Sequence, residues 1–153
     1  MATRSAIGIK HGDVIKAVYC HWDGYVEYNG QVLNHFYTNS VKVNKLIAMG
    51  DLSSLGAEIG TKHDFGHQWA DDEHVPIGTT GFVVNPECTY YGRDRDDPSP
   101  FRSFMSEEDF LDHYDHCGVE VYYLFDHGVW YVKEYRGKFK PLHEVLSRET
   151  ADA

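Results

Sequence analysis

Two segments of the chain place polar and charged side chains beside aromatic ones. The first contains His21 and Asp23, directly after an apolar run, and the second contains Tyr91, Arg93 and Arg95. Guanidinium groups match phosphate and carboxylate ligands. We predict that these five residues form one polar ligand-binding site if the fold brings the two segments together. Otherwise the first segment is a structural strand end and the second is an internal ion-pair network.

The first of these segments also contains a cysteine. Cys20, His21 and Asp23 together supply the parts of a nucleophile, a base and an orienting group. Neighbouring residues of a strand point to opposite faces, so Cys20 and His21 are not expected to meet. His21 and Asp23 can share a face, which keeps both in the predicted site.

A third segment has the residue types of a metal site. His63, Asp64 and His67 are followed by further acids and a histidine at positions 71–74. Imidazole and carboxylate groups bind zinc, iron and manganese, and such a metal would activate water in a hydrolase or nuclease. Gly66 weakens the case for a helix that would bring His63 and His67 together. The alternative is a solvated loop without a metal.

No short motif of a common enzyme class occurs in the chain. It contains no P-loop, no G-x-G-x-x-G, no G-x-S-x-G and no zinc-finger spacing. These observations favour a binding protein over an enzyme. They predict no cofactor except a possible divalent metal at the third segment.

The overall charge of the chain is strongly acidic. The formal net charge is −10 over 153 residues. A surface of this sign repels phosphate backbones, which argues against general nucleic-acid binding. It suits solubility or a basic partner, and it leaves open mimicry of nucleic acid by surface carboxylates. The interspersed Lys and Arg residues make such mimicry the weaker alternative.

The cysteine count and the hydropathy of the chain indicate a cytoplasmic location. The three cysteines have no CxxC spacing and form no obvious disulfide framework. The first ten residues lack the apolar core of a signal peptide, and no apolar run approaches the ~20 residues of a membrane span. We therefore expect no association with a membrane.

The pattern of apolar residues predicts the elements that position these segments. Hairpins are expected at residues 5–21 and 119–135, since short apolar runs flank a turn that contains glycine. Helical periodicity occurs at residues 29–37 and in a second helix that Asn39 can cap. After this second helix, Asp51 or Ser53 can cap a short turn. Further helices are predicted from Ser106 and from Pro141. A strand near residues 88–91 should lead into a polar turn at 93–100.

This order predicts a single α+β domain over residues 1–153. It should have two layers, a mostly antiparallel sheet of hairpins with helices packed on one face. The periodicity is lost at about 56–81, which we interpret as a long loop. Loops of this length are uncommon in compact domains and often carry function.

Several pieces of the chain resemble an uncharacterised family of small accessory proteins of tailed bacteriophages. They are Ala-Thr-Arg-Ser near the start and the segments 19–25, 50–55 and 91–95. The resemblance runs over most of the chain and carries no known activity, so it assigns no catalytic residue. It implies expression in the cytoplasm of a host bacterium. A protein of this kind would bind and modulate a host protein, or sequester a small nucleotide-like ligand, for host takeover or anti-defence.

Overall fold

An eight-stranded mixed sheet forms the centre of the computed structural model, which describes residues 2–151. Its strands follow the order β10-β9-β8-β1-β2-β3-β6, with β7 paired to β2. Strands β4 and β5 form a separate two-stranded sheet. The strands are β1 (Ser5–His11), β2 (Val14–Cys20), β3 (Leu52–Ser54), β4 (Val75–Pro76), β5 (Val83–Val84), β6 (Thr89–Tyr90), β7 (Arg102–Phe104), β8 (Val121–Asp126), β9 (Val129–Glu134) and β10 (Lys140–Pro141).

Both predicted hairpins are present. The β1–β2 hairpin turns at Gly12, whose φ of 60° is in the left-handed region that glycine tolerates best. The β8–β9 hairpin turns at His127 and Gly128, which both have positive φ. Parallel pairing joins β1 to β8 and β2 to β3, and the other pairs of these strands are antiparallel. The predicted α+β class with a mostly antiparallel sheet is therefore confirmed.

The helices cover both faces of the sheet. The α-helices are α1 (Gln31–Phe36), α2 (Ser40–Ala48), α3 (Tyr91–Arg95), α4 (Glu107–His116) and α5 (Leu142–Ala151). Helices α1, α2 and α5 bury their apolar side chains in one large core with Ile7, Val18 and Tyr123 of the sheet. Helix α4 packs Phe110 and Tyr114 against the opposite face. The expectation of helices on one face holds for the first three, and α4 adds a layer on the other side.

Three local predictions differ from the structure. The expected turn at residues 51–55 contains strand β3, because Leu52 pairs with both Cys20 and Tyr90. The polar stretch after Tyr90 begins with helix α3 instead of a turn. The first predicted helix begins with a π-helical segment, Val26–Gly30, which continues directly into α1. In the first two cases the backbone bonds to a distant segment, since β3 pairs with β2 and β6 and the N–H of Tyr91 donates to the carbonyl oxygen of Asp51.

The predicted long loop is largely irregular. From 55 to 70 the backbone forms neither helix nor strand apart from one bridge between Glu58 and Glu87. A 3-10 turn, Asp71–Glu73, and strand β4 then follow. No helix among the described residues is long and apolar enough to cross a membrane.

Candidate functional site

A cleft of about 520 Å³ lies between the edge of the main sheet and the long loop. Trp22 extends β2, since its N–H donates to the carbonyl oxygen of Ser53 at 3.0 Å. Thr89 of β6 pairs with Ser54 on the other side of β3. Three neighbouring strands therefore supply one wall. The loop and the segment after β5 supply the rest of the lining, which comprises Phe65, Gly66, His67, Gln68, Trp69, Asp71, His74 and Asn85.

The loop is held over the sheet edge by the carboxylate of Asp94, whose side chain is fully buried. Its two oxygens accept hydrogen bonds from the backbone N–H groups of His63 at 3.0 Å and Tyr90 at 2.8 Å. Arg93 donates to the same oxygens from Nε at 2.9 Å and from Nη2 at 3.1 Å. Burial alone would raise the pKa of Asp94. The bonds from Arg93, Tyr90 and His63 outweigh burial and hold that pKa below its ordinary value.

Arg93 has a structural role. Its Nη1 group donates to the carbonyl oxygen of Ile59 and its Nη2 group to that of Cys88, both at 2.9 Å. The guanidinium also lies 4.9 Å from the centre of the Tyr90 ring. With these partners and Asp94, Arg93 has few donors left for a ligand. Arg93 therefore belongs to an internal ion-pair network, which fits its contacts better than a role in ligand binding does.

Three of the other predicted site residues contact side chains that line the cleft. The His21 ring contacts the Trp22 ring edge-on, with centroids 4.8 Å apart. The Tyr91 ring lies 5.5 Å from Phe65, and the guanidinium of Arg95 lies 5.1 Å from the centre of the same Phe65 ring. Trp22 and Phe65 both line the cleft, so each predicted segment contacts the cleft lining through one aromatic residue. They support the lining residues and are not themselves the lining.

Asp23 stands apart from this arrangement. Its φ is 58°, and its carbonyl oxygen accepts a hydrogen bond from the N–H of Asn29 at 3.2 Å. Burial raises the pKa of its carboxyl group, against a hydrogen bond from Tyr25 that lowers it. This backbone geometry fits the turn-forming alternative, since aspartate is one of the few residues that tolerates left-handed φ.

The three predicted metal ligands are not gathered around one point. Both ring nitrogens of His63 already have partners, Thr61 O at 3.0 Å and Thr89 Oγ1 at 2.9 Å. Asp64 instead accepts a hydrogen bond from the N–H of Gly66. Among the described residues no three His, Cys, Asp or Glu side chains are arranged to hold a metal ion. The hydrogen bonds of His63 serve to fix the start of the loop.

The rings beyond His63 give the cleft its aromatic character. The His67 and Trp69 rings lie 4.4 Å apart in an edge-on contact, and His63 lies 5.1 Å from Trp69. Trp22 remains 47% exposed, which leaves a large part of its ring open to a ligand. The described lining contains one carboxylate, from Asp71, and neither Lys nor Arg. The cleft can therefore stack on a planar group and hydrogen-bond to it, with little cationic charge for phosphates.

Cys20 is not placed to act as a nucleophile. Its side chain is fully buried, and burial raises the pKa of its thiol to about 12. Cys88 is also fully buried, and burial raises its thiol pKa. Cys117 is exposed. Only a thiolate reacts readily, so the two buried cysteines should be inert in the folded protein.

We expect a thiol reagent such as DTNB to label one cysteine of the native protein rapidly and all three after unfolding in guanidinium. The physical reason is that Cys20 and Cys88 are both desolvated and inaccessible. The Cys117→Ser variant should lose the rapid phase and keep the other two thiols. Rapid labelling of two or more thiols in the native state would contradict the burial described.

Most of the lining residues were not among the predicted site residues. His67 was predicted as a metal ligand, and the loop at 56–81 was predicted to be a segment of the kind that often carries function. Trp22 and Trp69 were not predicted as site residues, although Trp22 lies between His21 and Asp23. The available signal was the combination of a long loop with two tryptophans adjacent to polar residues. Comparison of the chain with known family models, curated proteins and solved structures finds no match.

Proposed function

We propose that the protein binds a small nucleotide-like ligand in the cleft beneath the long loop. The observation that carries the proposal is the pairing of Trp22 and Trp69 with polar side chains in a cleft of about 520 Å³. Small-molecule sites commonly measure about 300–1,000 Å³ and combine aromatic walls with a few polar groups. A nucleobase would stack on an indole ring, as bases do on aromatic side chains elsewhere.

The polar lining suits the remaining parts of such a ligand. Gln68 and Asn85 each offer an amide donor and acceptor for the edge of a base, and Asp71 can accept from ribose hydroxyls. Because Lys and Arg are missing from the described lining, a ligand with several phosphates would find little compensating charge. We therefore favour a nucleoside or a nucleoside monophosphate over a triphosphate.

A binding role agrees with the character of the site better than hydrolysis does. Of the predicted metal ligands, His63 uses both ring nitrogens in hydrogen bonds to Thr61 and Thr89, and Asp64 accepts one from Gly66. On the strength of the resemblance to phage accessory proteins, we propose that the protein acts in the cytoplasm of an infected bacterium. There it would sequester its ligand and so modulate a host response.

Replacing Trp22 or Trp69 with alanine should weaken ligand binding about 10-fold, because stacking of one base is worth about 1–3 kcal/mol. The measurement is isothermal titration calorimetry with adenosine, guanosine, cytidine and uridine and their 5′-monophosphates, after a thermal-shift screen of the same panel. Tyr135→Ala is the matched control, since Tyr135 is an aromatic residue that is 69% exposed and does not line the cleft.

The proposal fails if no member of the panel binds the wild-type protein. It also fails if the tryptophan variants bind as tightly as Tyr135→Ala. Circular dichroism and a urea melt of each variant separate a loss of binding from a loss of folding. Trp22 is 47% exposed, so Trp22→Ala should fold.

A further inference from the structure

A second concave surface lies between helix α2 and residues 58–60. This groove has a volume of about 500 Å³. Val41 and Met49 line it and are 64% and 40% exposed. Ala48 and Ile59 add further apolar surface. Large exposed apolar side chains that share one concave surface indicate a site of interaction with another molecule.

Helix α2 thus carries apolar side chains on two of its faces. Val43, Leu46 and Ile47 are buried in the main core and account for the folding of the helix. Of the groove side chains, Ile59 also packs against the main core, whereas Val41 and Met49 do not belong to it. Val41 and Met49 are eight residues apart, which corresponds to about 12 Å along a helix. On a partner helix, apolar side chains that are about two turns apart have the same spacing of about 12 Å.

Two lysines line the groove, Lys42 and Lys45, and their pairing indicates the charge that a partner would place between its apolar side chains. Lys42 is engaged, because its ammonium group contacts Glu58 at 3.1 Å, donates to the Ala57 carbonyl at 3.0 Å and lies over the Tyr37 ring. Lys45 lies one turn from both Val41 and Met49 and has neither an ion pair nor a hydrogen bond within the described part of the chain. An unpaired cation among apolar side chains is complementary to a carboxylate.

We propose that this groove docks an amphipathic helix of a partner protein, with two apolar side chains about two turns apart and a carboxylate between them. The carboxylate pairs with Lys45, and the apolar side chains cover Val41 and Met49. A second copy of this chain is a poorer occupant, since two molecules with a net charge of −10 repel each other. The groove shares no lining residue with the cleft, so this proposal does not depend on the proposed ligand.

The test uses labelled helical peptides of about 18 residues, long enough to form helix on binding. Their apolar positions are seven or eight residues apart, and the central position is Glu, Gln or Lys. Fluorescence anisotropy measures binding to the wild-type protein and to Lys45→Glu, with Lys138→Glu as an exposed control elsewhere on the surface. We expect the Glu series to bind the wild type and Lys138→Glu equally.

Lys45→Glu should weaken binding of the Glu series about 10-fold or more and should strengthen binding of the Lys series, since like charges in contact repel. That exchange of preference cannot result from misfolding. The proposal is overturned if no peptide binds, or if Lys45→Glu binds the Glu series as the wild type does. It is also overturned if sedimentation shows a wild-type dimer that Lys45→Glu dissociates, because the occupant is then a second copy.

Discussion

Asp94→Asn should lower the free energy of unfolding by about 3 kcal/mol, because it leaves the Arg93 guanidinium in a nearly buried position without its counter-charge. The side chain of Asp94 is fully shielded from solvent and that of Arg93 is 11% exposed. The amide also replaces an accepting oxygen with a donor, so one of the backbone N–H groups of His63 and Tyr90 loses its acceptor. Urea unfolding followed by circular dichroism measures the change.

Asp96→Asn is the matched control for this substitution. Asp96 is exposed, and its φ of 59° suits asparagine as well as aspartate. Its variant should be within about 0.5 kcal/mol of the wild type. Equal stabilities for the two variants would mean that the ion pair between Arg93 and Asp94 does not hold the loop.

The same carboxylate predicts a dependence of stability on pH. The pKa of Asp94 is lower in the folded protein than its ordinary value. Its contribution is therefore fully present above about pH 4, the ordinary pKa of aspartate, and is lost as the pH falls through the folded pKa. The stability difference between the wild type and Asp94→Asn should shrink below about pH 4. A difference that stays constant down to pH 2 would contradict the role given to the carboxylate.

Gly56→Ala should destabilise the protein by about 3 kcal/mol or more, since a methyl group there has no space. A Cβ atom on Gly56 would overlap the carbonyl group of Glu87 and lie 2.8 Å from its nitrogen. These neighbours are backbone atoms that bridge the start of the loop to the segment before β6. The N–H of Ala57 donates to Asn85, and that of Cys88 donates to Glu58. The methyl group would separate the two segments that support the cleft.

Gly92→Ala tests whether this effect is specific to position 56. Gly92 lies in helix α3, and a Cβ atom there meets nothing within 4 Å. Alanine is favoured over glycine in a helix, so this variant should be as stable as the wild type or more stable by up to about 1 kcal/mol. Thermal and urea unfolding of both variants would decide the matter. A stable Gly56→Ala protein would show that the two segments can separate without cost.

The hairpins could be predicted because their signals are local. Alternating apolar residues flank Gly12 and Gly128. Both glycines have positive φ, which glycine adopts without strain, so the turns do not depend on distant contacts. The same applies to Ser106, which accepts a hydrogen bond from the N–H of Asp109 at the start of α4, as its position before three acidic residues predicts. Strand β3 could not be predicted in this way, since it consists of three residues held by pairing to β2 and β6.

None of the five residues predicted for a ligand site lines the cleft. His21 and Tyr91 each contact an aromatic residue of the cleft lining, Trp22 and Phe65 respectively. Arg93 illustrates the difficulty, because the sequence cannot distinguish a guanidinium that faces a ligand from one that faces the carbonyl oxygens of Ile59 and Cys88. Ligand binding and structural bonding both use the donors of one guanidinium, and only the positions of the acceptors distinguish the two roles.

By itself, the sequence determined the α+β class, the two hairpins, the acidic surface and the presence of a long irregular loop, since each depends on composition or on residues close together in the chain. The tertiary structure alone decided where that loop lies and which side chains face the cleft. The contacts responsible join residues 26 to 31 positions apart, such as His63 with Thr89 and Asp94. No local pattern encodes such contacts, because they form only when the sheet edge and the loop meet.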